Sequence, residues 1–395
     1  MKDVAKKGWE TRLLGEVCKL VNGRAYKKPE LLDDGPYPVL RVGNFFTNNH
    51  WYYSDLELDE DKYCDDGDLL YAWSASFGPR IWEGGKVIYH YHIWKVLPSD
   101  RVDRDFLYYF FDWDKELIKK EQGAGATMIH VSKGSMEARA MPLPPLEEQQ
   151  RIVAVLDEAF EGLARARAHA EANLSDAEQI AARSLDVILE DLSTRNGRIT
   201  VQEIAAVKGG KRLPKGSKPG PTPTPHPYIS VKDLTEDGTV STAKLGYISA
   251  QVQRSIARYT ISSRDVYISI AGTIGKSGIV PDELDEANLT ENAAKLVLTD
   301  GWATEYVYWC TRSADFAVQT SEQTRVAAQP KLALQRLGAI TIPKATEAEQ
   351  IAVCEKMNAL RVTRSELVEA YSKKLQDLDD LRQSLLQKAF AGELT

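Results

Sequence analysis

The sequence predicts a mixed α/β (α+β) fold with two globular domains separated by two long, antiparallel, coiled-coil-like helices. An internal duplication with a pseudo-two-fold arrangement would generate it. Three observations carry this prediction. The chain has 395 residues, too many for one ordinary domain at roughly 100–200 residues each. It repeats itself at long range. It also contains two long segments that lack proline and carry a heptad-like apolar seam. Hydrophobic residues make up 43% and charged residues 27%, a composition that builds cores and argues against disorder.

The repeat is read residue by residue. Met141-Pro142-Leu143 with Glu148-Gln149 and Ile152 matches Ile342-Pro343-Lys344 with Glu349-Gln350 and Val353, at an offset of 201. Leu14-Gly15-Glu16-Val17 with Gly23-Arg24 matches Val201-Gln202-Glu203-Ile204 with Gly210-Lys211, at an offset of 187. Gly67-Asp68-Leu69-Leu70 with Gly78 matches Arg264-Asp265-Val266-Tyr267 with Gly275, at 197. Each half therefore runs in the same order: a globular part, a proline-marked boundary, a long helix.

The first globular part spans residues 1–142. Its β-rich runs are 37–42, 68–73 and 87–96, followed by an aromatic helical patch at 106–113. Residues 143–193 form the first long segment. Past Pro145 no proline occurs until Pro214, which permits an unbroken helix. Its seam is Ile152, Leu156, Ala159, Leu163, Ala166, Ala170, Asn173, Ala177 and Ile180, a step of three and four residues. The second globular part, 194–343, has strand-like runs at 228–231, 265–270 and 293–298 and a helical patch at 305–310. Prolines 219, 221, 223, 225 and 227 mark a stiff, extended loop. Residues 344–395 form the second long segment, with Val353, Met357, Leu360, Leu367, Tyr371, Leu378, Leu381 and Leu385 as its seam, interrupted by Arg364 and Lys374. Each helix is about 70 Å long at 1.5 Å per residue. Such helices need a partner, and packing against each other is the simplest one.

Catalytic signatures are missing. Gly275-Lys276-Ser277 resembles the end of a phosphate loop, but position 270 is Ile where a glycine is required. Gly123-Ala124-Gly125 lacks the third glycine of a dinucleotide fingerprint. His90 and His92 alternate on a β-rich run without an obvious third metal ligand, so aromatic strand packing is the reading and no metal is expected. Glu60-Asp61-Lys62 has the form of a nuclease fragment but lies in a generally acidic segment. No apolar window approaches 18–20 residues, and the N-terminus has no signal-peptide core. Cys18, Cys64, Cys310 and Cys354 are too dispersed for a zinc site or a disulfide framework. A reduced, cytoplasmic chain is expected.

The formal charge is −7, which by itself argues against a polyanionic partner. Its distribution argues otherwise. Residues 143–193 hold 4 basic and 11 acidic side chains, a net −7 in one helix. Residues 1–28 hold 8 basic and 3 acidic, and 194–276 hold 13 basic and 5 acidic. The basic clusters fall at equivalent places in the repeat and beside glycines, where a backbone can approach a ligand. Two basic loops held apart by long helices suit duplex DNA, whose groove faces recur about every 34–36 Å.

The chain resembles the specificity (S) subunit of type I restriction–modification enzymes. The resemblance covers essentially the whole length. It is carried by Pro142-Leu143-Pro144-Pro145-Leu146-Glu147-Glu148-Gln149-Gln150-Arg151-Ile152-Val153 and by the C-terminal stretch from Leu381-Arg382-Gln383-Ser384 to Gly392-Glu393-Leu394. Leu14-Gly15-Glu16-Val17 and Gly272-Thr273-Ile274-Gly275 add to it. The second boundary departs, with Lys344-Ala345-Thr346 in place of the double proline.

The resemblance implies that each globular part is a target-recognition domain reading one half of a bipartite, asymmetric DNA site. It implies that the helices set the spacing and dock two methylation (M) subunits, with restriction (R) subunits able to join. The chain itself is then not catalytic and binds no cofactor, while S-adenosylmethionine, ATP and magnesium belong to its partners. A coiled-coil scaffold for protein partners and a nuclease with an unrecognised site are the alternatives. From loop position and chemistry, not from the family, the expected DNA contacts are Asn22, Arg24, Tyr26, Lys27, Lys28, Arg41, Asn44 and Arg80. In the second domain they are Lys211, Arg212, Lys215, Lys218, Lys232 and Lys276.

Overall fold

The computed structural model describes residues 8–46, 49–74, 77–121, 130–324 and 331–394. The Gly123-Ala124-Gly125 motif lies outside them. Contacts divide the chain into two compact units, Met1–Glu171 with Lys373–Thr395, and Ala172–Ser372. The long helices, Leu146–Asn196 and Glu347–Ala391, each contribute one stretch to each unit.

In the first unit the strands are β1 (Glu10–Leu13), β2 (Cys18–Asn22), β3 (Tyr37–Leu40), β4 (Tyr52–Ser54), β5 (Tyr63–Cys64), β6 (Leu69–Ala72), β7 (Gly78–Ile81), β8 (Val87–Tyr89), β9 (Ile93–Pro98) and β10 (Ala140–Leu143). They form the sheets β2-β9-β6-β7 and β4-β3-β8-β5 and the pair β1-β10. In the second unit they are β11 (Arg198–Thr200), β12 (Ala205–Gly209), β13 (Pro227–Ile229), β14 (Gly246–Tyr247), β15 (Thr260–Ile261), β16 (Val266–Ser269), β17 (Ser277–Ile279), β18 (Ala287–Leu289), β19 (Ala293–Leu298) and β20 (Thr341–Pro343). These form β12-β19-β16-β17, β14-β13-β18-β15 and β11-β20. The strand order is the same in both units. So is the lone parallel pairing among the described strands, β3 with β8 and β13 with β18.

Several residues of the repeat have physical roles that recur. Gln149 is fully buried; its carboxamide accepts from the Asp103 amide at 2.8 Å and donates to the carbonyls of Arg101 and Pro144. Gln350 does the same with the Ala303 amide at 2.8 Å and the carbonyls of Gly301 and Ala345. Each glutamine thus stitches the start of a long helix to the loop after β9 or β19. Asp68 and Asp265 each close a turn before the central strand and pair with a lysine on its neighbour, Lys95 at 2.6 Å and Lys295 at 2.8 Å. The helix starts differ as the sequence departs. Pro145 supplies a carbonyl to the Gln149 amide, whereas Thr346 and Glu349 bond reciprocally as a capping box.

The helices pair antiparallel within each unit. In the first unit Arg167 pairs with Asp379, and the Arg382 guanidinium lies 4.0 Å from the Phe160 ring centre. Ile152, Leu156, Phe160, Leu386, Ala389 and Phe390 join the core around Phe106 and Phe110. In the second unit Arg195 pairs with Glu349, and Arg364 donates to the Glu178 carbonyl. Leu185, Leu189, Leu192, Val353 and Met357 join the core around Tyr306 and Val307.

Among the seam residues Ile152, Leu156, Ala170, Ala177 and Met357 are buried, and Leu163, Leu367, Tyr371, Leu378 and Leu385 half-buried. Three expected seam positions are corrected. Asn173, Ile180 and Leu381 are exposed, and Leu174 and Ala181 take the inward places on the first helix. A seven-residue step drifts about 20° per heptad on a 3.6-residue helix, so a strict heptad rotates off the buried line. The run 87–96 is also corrected. It is two strands in two different sheets, broken at His90–His92, so the histidines sit on a turn and not on one strand face. Among the described residues no helix is long and apolar enough to cross a membrane.

Candidate nucleic-acid interface

The basic loops are fixed in the same way in both units. Gly23 follows β2, and a Cβ there would stand 2.2 Å from the Tyr89 carbonyl oxygen. Gly210 follows β12, and its Cβ would stand 2.1 Å from the Thr290 carbonyl oxygen. The next amides, of Arg24 and Lys211, donate to the carbonyls of Tyr89 and Leu289 at 3.0 and 2.9 Å. These glycines therefore serve a close approach to the protein's own turn rather than to a ligand, which corrects the sequence expectation. Each basic loop is strapped against the turn between β8 and β9, or between β18 and β19.

On this frame the first unit carries rings and guanidinium groups. Arg24 forks onto Glu30 at 3.1 and 2.7 Å and lies 5.3 Å from the Tyr26 ring centre. The Arg24 bond and the Lys27 amide pull the Glu30 carboxyl down to about 2. Tyr26 stacks on His90, and its hydroxyl donates to the Tyr89 carbonyl. Arg41 lies over Tyr52. Asn22, Lys27 and Lys28 are exposed, and the Asn22 carbonyl accepts from Lys62. Asn44 and Arg80 gather about the helix Val42–Phe46: Asn44 donates to the His50 carbonyl at 2.7 Å, and Arg80 to the Phe45 carbonyl.

The sequence reading missed a ring cluster beside this loop. Trp73, just past β6, lies 4.9 Å from His92, 5.5 Å from His130 and 5.9 Å from Trp94, and donates to the Tyr91 carbonyl at 2.8 Å. Burial, with His92 and Arg41 nearby, brings His90 down to about 4, so it is neutral at pH 7. The signal available in the sequence was the density of rings at 89–94, which fits strand packing equally well.

The second unit offers ammonium groups in place of rings. Lys211 lies 5.5 Å from the Tyr259 ring centre, and the exposed Arg212 pairs with Glu291 at 2.6 Å. Lys215 and Lys218 are exposed on the loop after Gly210. Lys232 and Lys276 line a common groove with Thr273 and Asn292, two residues absent from the sequence expectation. The acidic segment shows separate partners: Glu60 faces Lys86 at 3.8 Å, while Lys62 bonds Asp61.

Residues 6–168 match the family model of the type I restriction modification DNA specificity domain. Over those residues the chain is similar to a type I DNA-specificity domain. Over 98% of its length it is 23% identical to the specificity subunit of the type I restriction enzyme EcoBI from Escherichia coli, covering 86% of that protein. It is 29% identical to the MjaVIII specificity subunit of Methanocaldococcus jannaschii over 38% of this chain and 35% of that one. The fold recurs in solved structures. One, from work on complex assembly and conformational transition of the type I R-M system, superposes with a TM-score of 0.76 at 17% identity, covering 99% of both chains. The HsdS subunit from Thermoanaerobacter tengcongensis gives 0.61 at 16% identity, covering 100% of this chain and 99% of that one.

Proposed function

We propose that this chain is the DNA sequence-specificity subunit of a type I restriction–modification enzyme, each unit reading one half of a bipartite, asymmetric site. The observation that supports this is the pairing of a shared frame with unshared side chains. Both units hold a basic loop against the same turn, yet one presents Arg24, Tyr26, Arg41 and a ring cluster, and the other Lys211 beside Tyr259 and Arg212. A common frame with different edge chemistry is what reading two different half-sequences requires, because phosphate contacts position and base contacts specify.

The two long helices set the gap between half-sites and dock two methylation subunits, which restriction subunits then join. Chemistry belongs to those partners. They bind S-adenosylmethionine, ATP and magnesium, and this chain supplies the address. Mapping methylated adenines in cells that carry the chain with its methylation subunits tests the reading. One split, asymmetric sequence is expected to be methylated, and only when both components are present. Methylation by the purified chain alone contradicts it. Inserting seven residues into each of the two paired helices at facing positions should lengthen the unread gap of the target and leave both half-sequences unchanged.

A further inference from the structure

The turn between β16 and β17 bounds an open groove of about 500 Å³ within the second unit, lined by Lys232, Ala271, Gly272, Thr273, Lys276 and Asn292. The turn is held by its own bonds. The Ser269 hydroxyl donates to the Thr273 carbonyl and accepts the Lys276 amide at 2.8 Å. The Ser269 carbonyl accepts the Gly275 amide at 2.9 Å, and the Asn292 carbonyl accepts those of Ile270 and Ala271. Gly272 and Gly275 stand in the left-handed region, with φ of +77° and +92°, and give the turn its curvature.

This framework leaves the successive amides of Thr273 and Ile274 without an acceptor among the described residues. Adjacent unpaired amides in a turn form a concavity suited to anions. Two ammonium groups share the groove. Lys232 is exposed and in no ion pair among the described residues. The Lys276 side chain is only 16% exposed, so its stem is fixed; its ammonium bonds Glu236 at 2.8 Å, and that carboxylate's side chain is 84% exposed and can yield to a competitor. Two cations and the unpaired amide of Thr273, all donors on groove-lining residues, complement a phosphate, which is charged and offers only acceptors.

We infer that this groove seats one phosphodiester of the DNA backbone and positions the second unit on its half-site without reading sequence. The inference rests on the proposed DNA-reading function. Among its described residues the first unit shows no counterpart of Lys276. By strand register Gly78 stands where the second unit has Lys276, one position from the Gly275 that the sequence repeat matches to it.

The test uses the full chain assembled with its methylation subunits and duplexes carrying the mapped site. Replacing single phosphates by neutral methylphosphonates should weaken binding of the parent about tenfold at one position of the half-site read by the second unit. The K232Q/K276Q variant should lose that sensitivity, lower the slope of log affinity against log salt by about two, and methylate the same sequence. Glu236→Gln, which removes the competitor, should tighten binding. No sensitive phosphate, a variant equally sensitive to it, or a changed methylation sequence overturns the clamp while leaving DNA reading intact. A parent complex that binds no duplex overturns the reading itself and the clamp with it.

Discussion

Gln149 and Gln350 show how much one buried polar side chain can fix. Each satisfies three backbone groups where a long helix leaves a globular unit. Removing the carboxamide leaves an amide and two carbonyls without their partner, the Pro144 carbonyl in a buried position. Gln149→Ala is expected to destabilise the first unit by about 2–4 kcal/mol, read as a lower denaturant midpoint with an unchanged m value. His90 gives a pH signature. An unfolded histidine takes its proton near 6.5, whereas His90 in the fold takes it near 4. Between those values the unfolded chain binds more protons, so stability falls as pH drops from about 7 to about 4. His90→Gln should flatten that fall in a pH series of thermal unfolding. A slope unchanged by the substitution would place the titration elsewhere.

At the scale of elements, the helices were legible because proline absence and apolar spacing act along one dimension. Their seam was less so beyond Ala170, since a heptad template ignores the slow rotation that turns Ile180 outward and Ala181 inward. The difference is measurable. Leu156 is fully buried, and Leu156→Ala should cost about 3 kcal/mol. Ile180 is 38% exposed, and Ile180→Ala should cost well under 1 kcal/mol. Strand positions were legible where runs were short and bounded by turns. The run 87–96 was not, because His90–His92 contains neither glycine nor proline to announce that the chain changes sheets. The ring cluster around Trp73 escaped for a related reason: it joins Trp73, Tyr91 and His130, which only tertiary structure brings together. The basic loops were found by charge, but their glycines were given the wrong partner, since sequence cannot say whether a close approach is to a ligand or to the protein itself.

For the whole molecule, net charge is a poor guide to what the chain touches. The −7 total equals the deficit of residues 143–193 alone, while the loops proposed to meet phosphate are locally basic. The consequence is weak binding in isolation: the chain alone should bind duplex DNA far less tightly than the assembled complex, with a smaller salt slope, in parallel titrations. The central claim is that each unit reads its own half of the target. Its most direct test replaces residues 198–343 with the matching stretch of a relative of different specificity and maps the methylated sequence. One half of the target should change to the donor's while the other half stays as it was. An unchanged target, or methylation that has lost both halves in a folded, assembled complex, would contradict it.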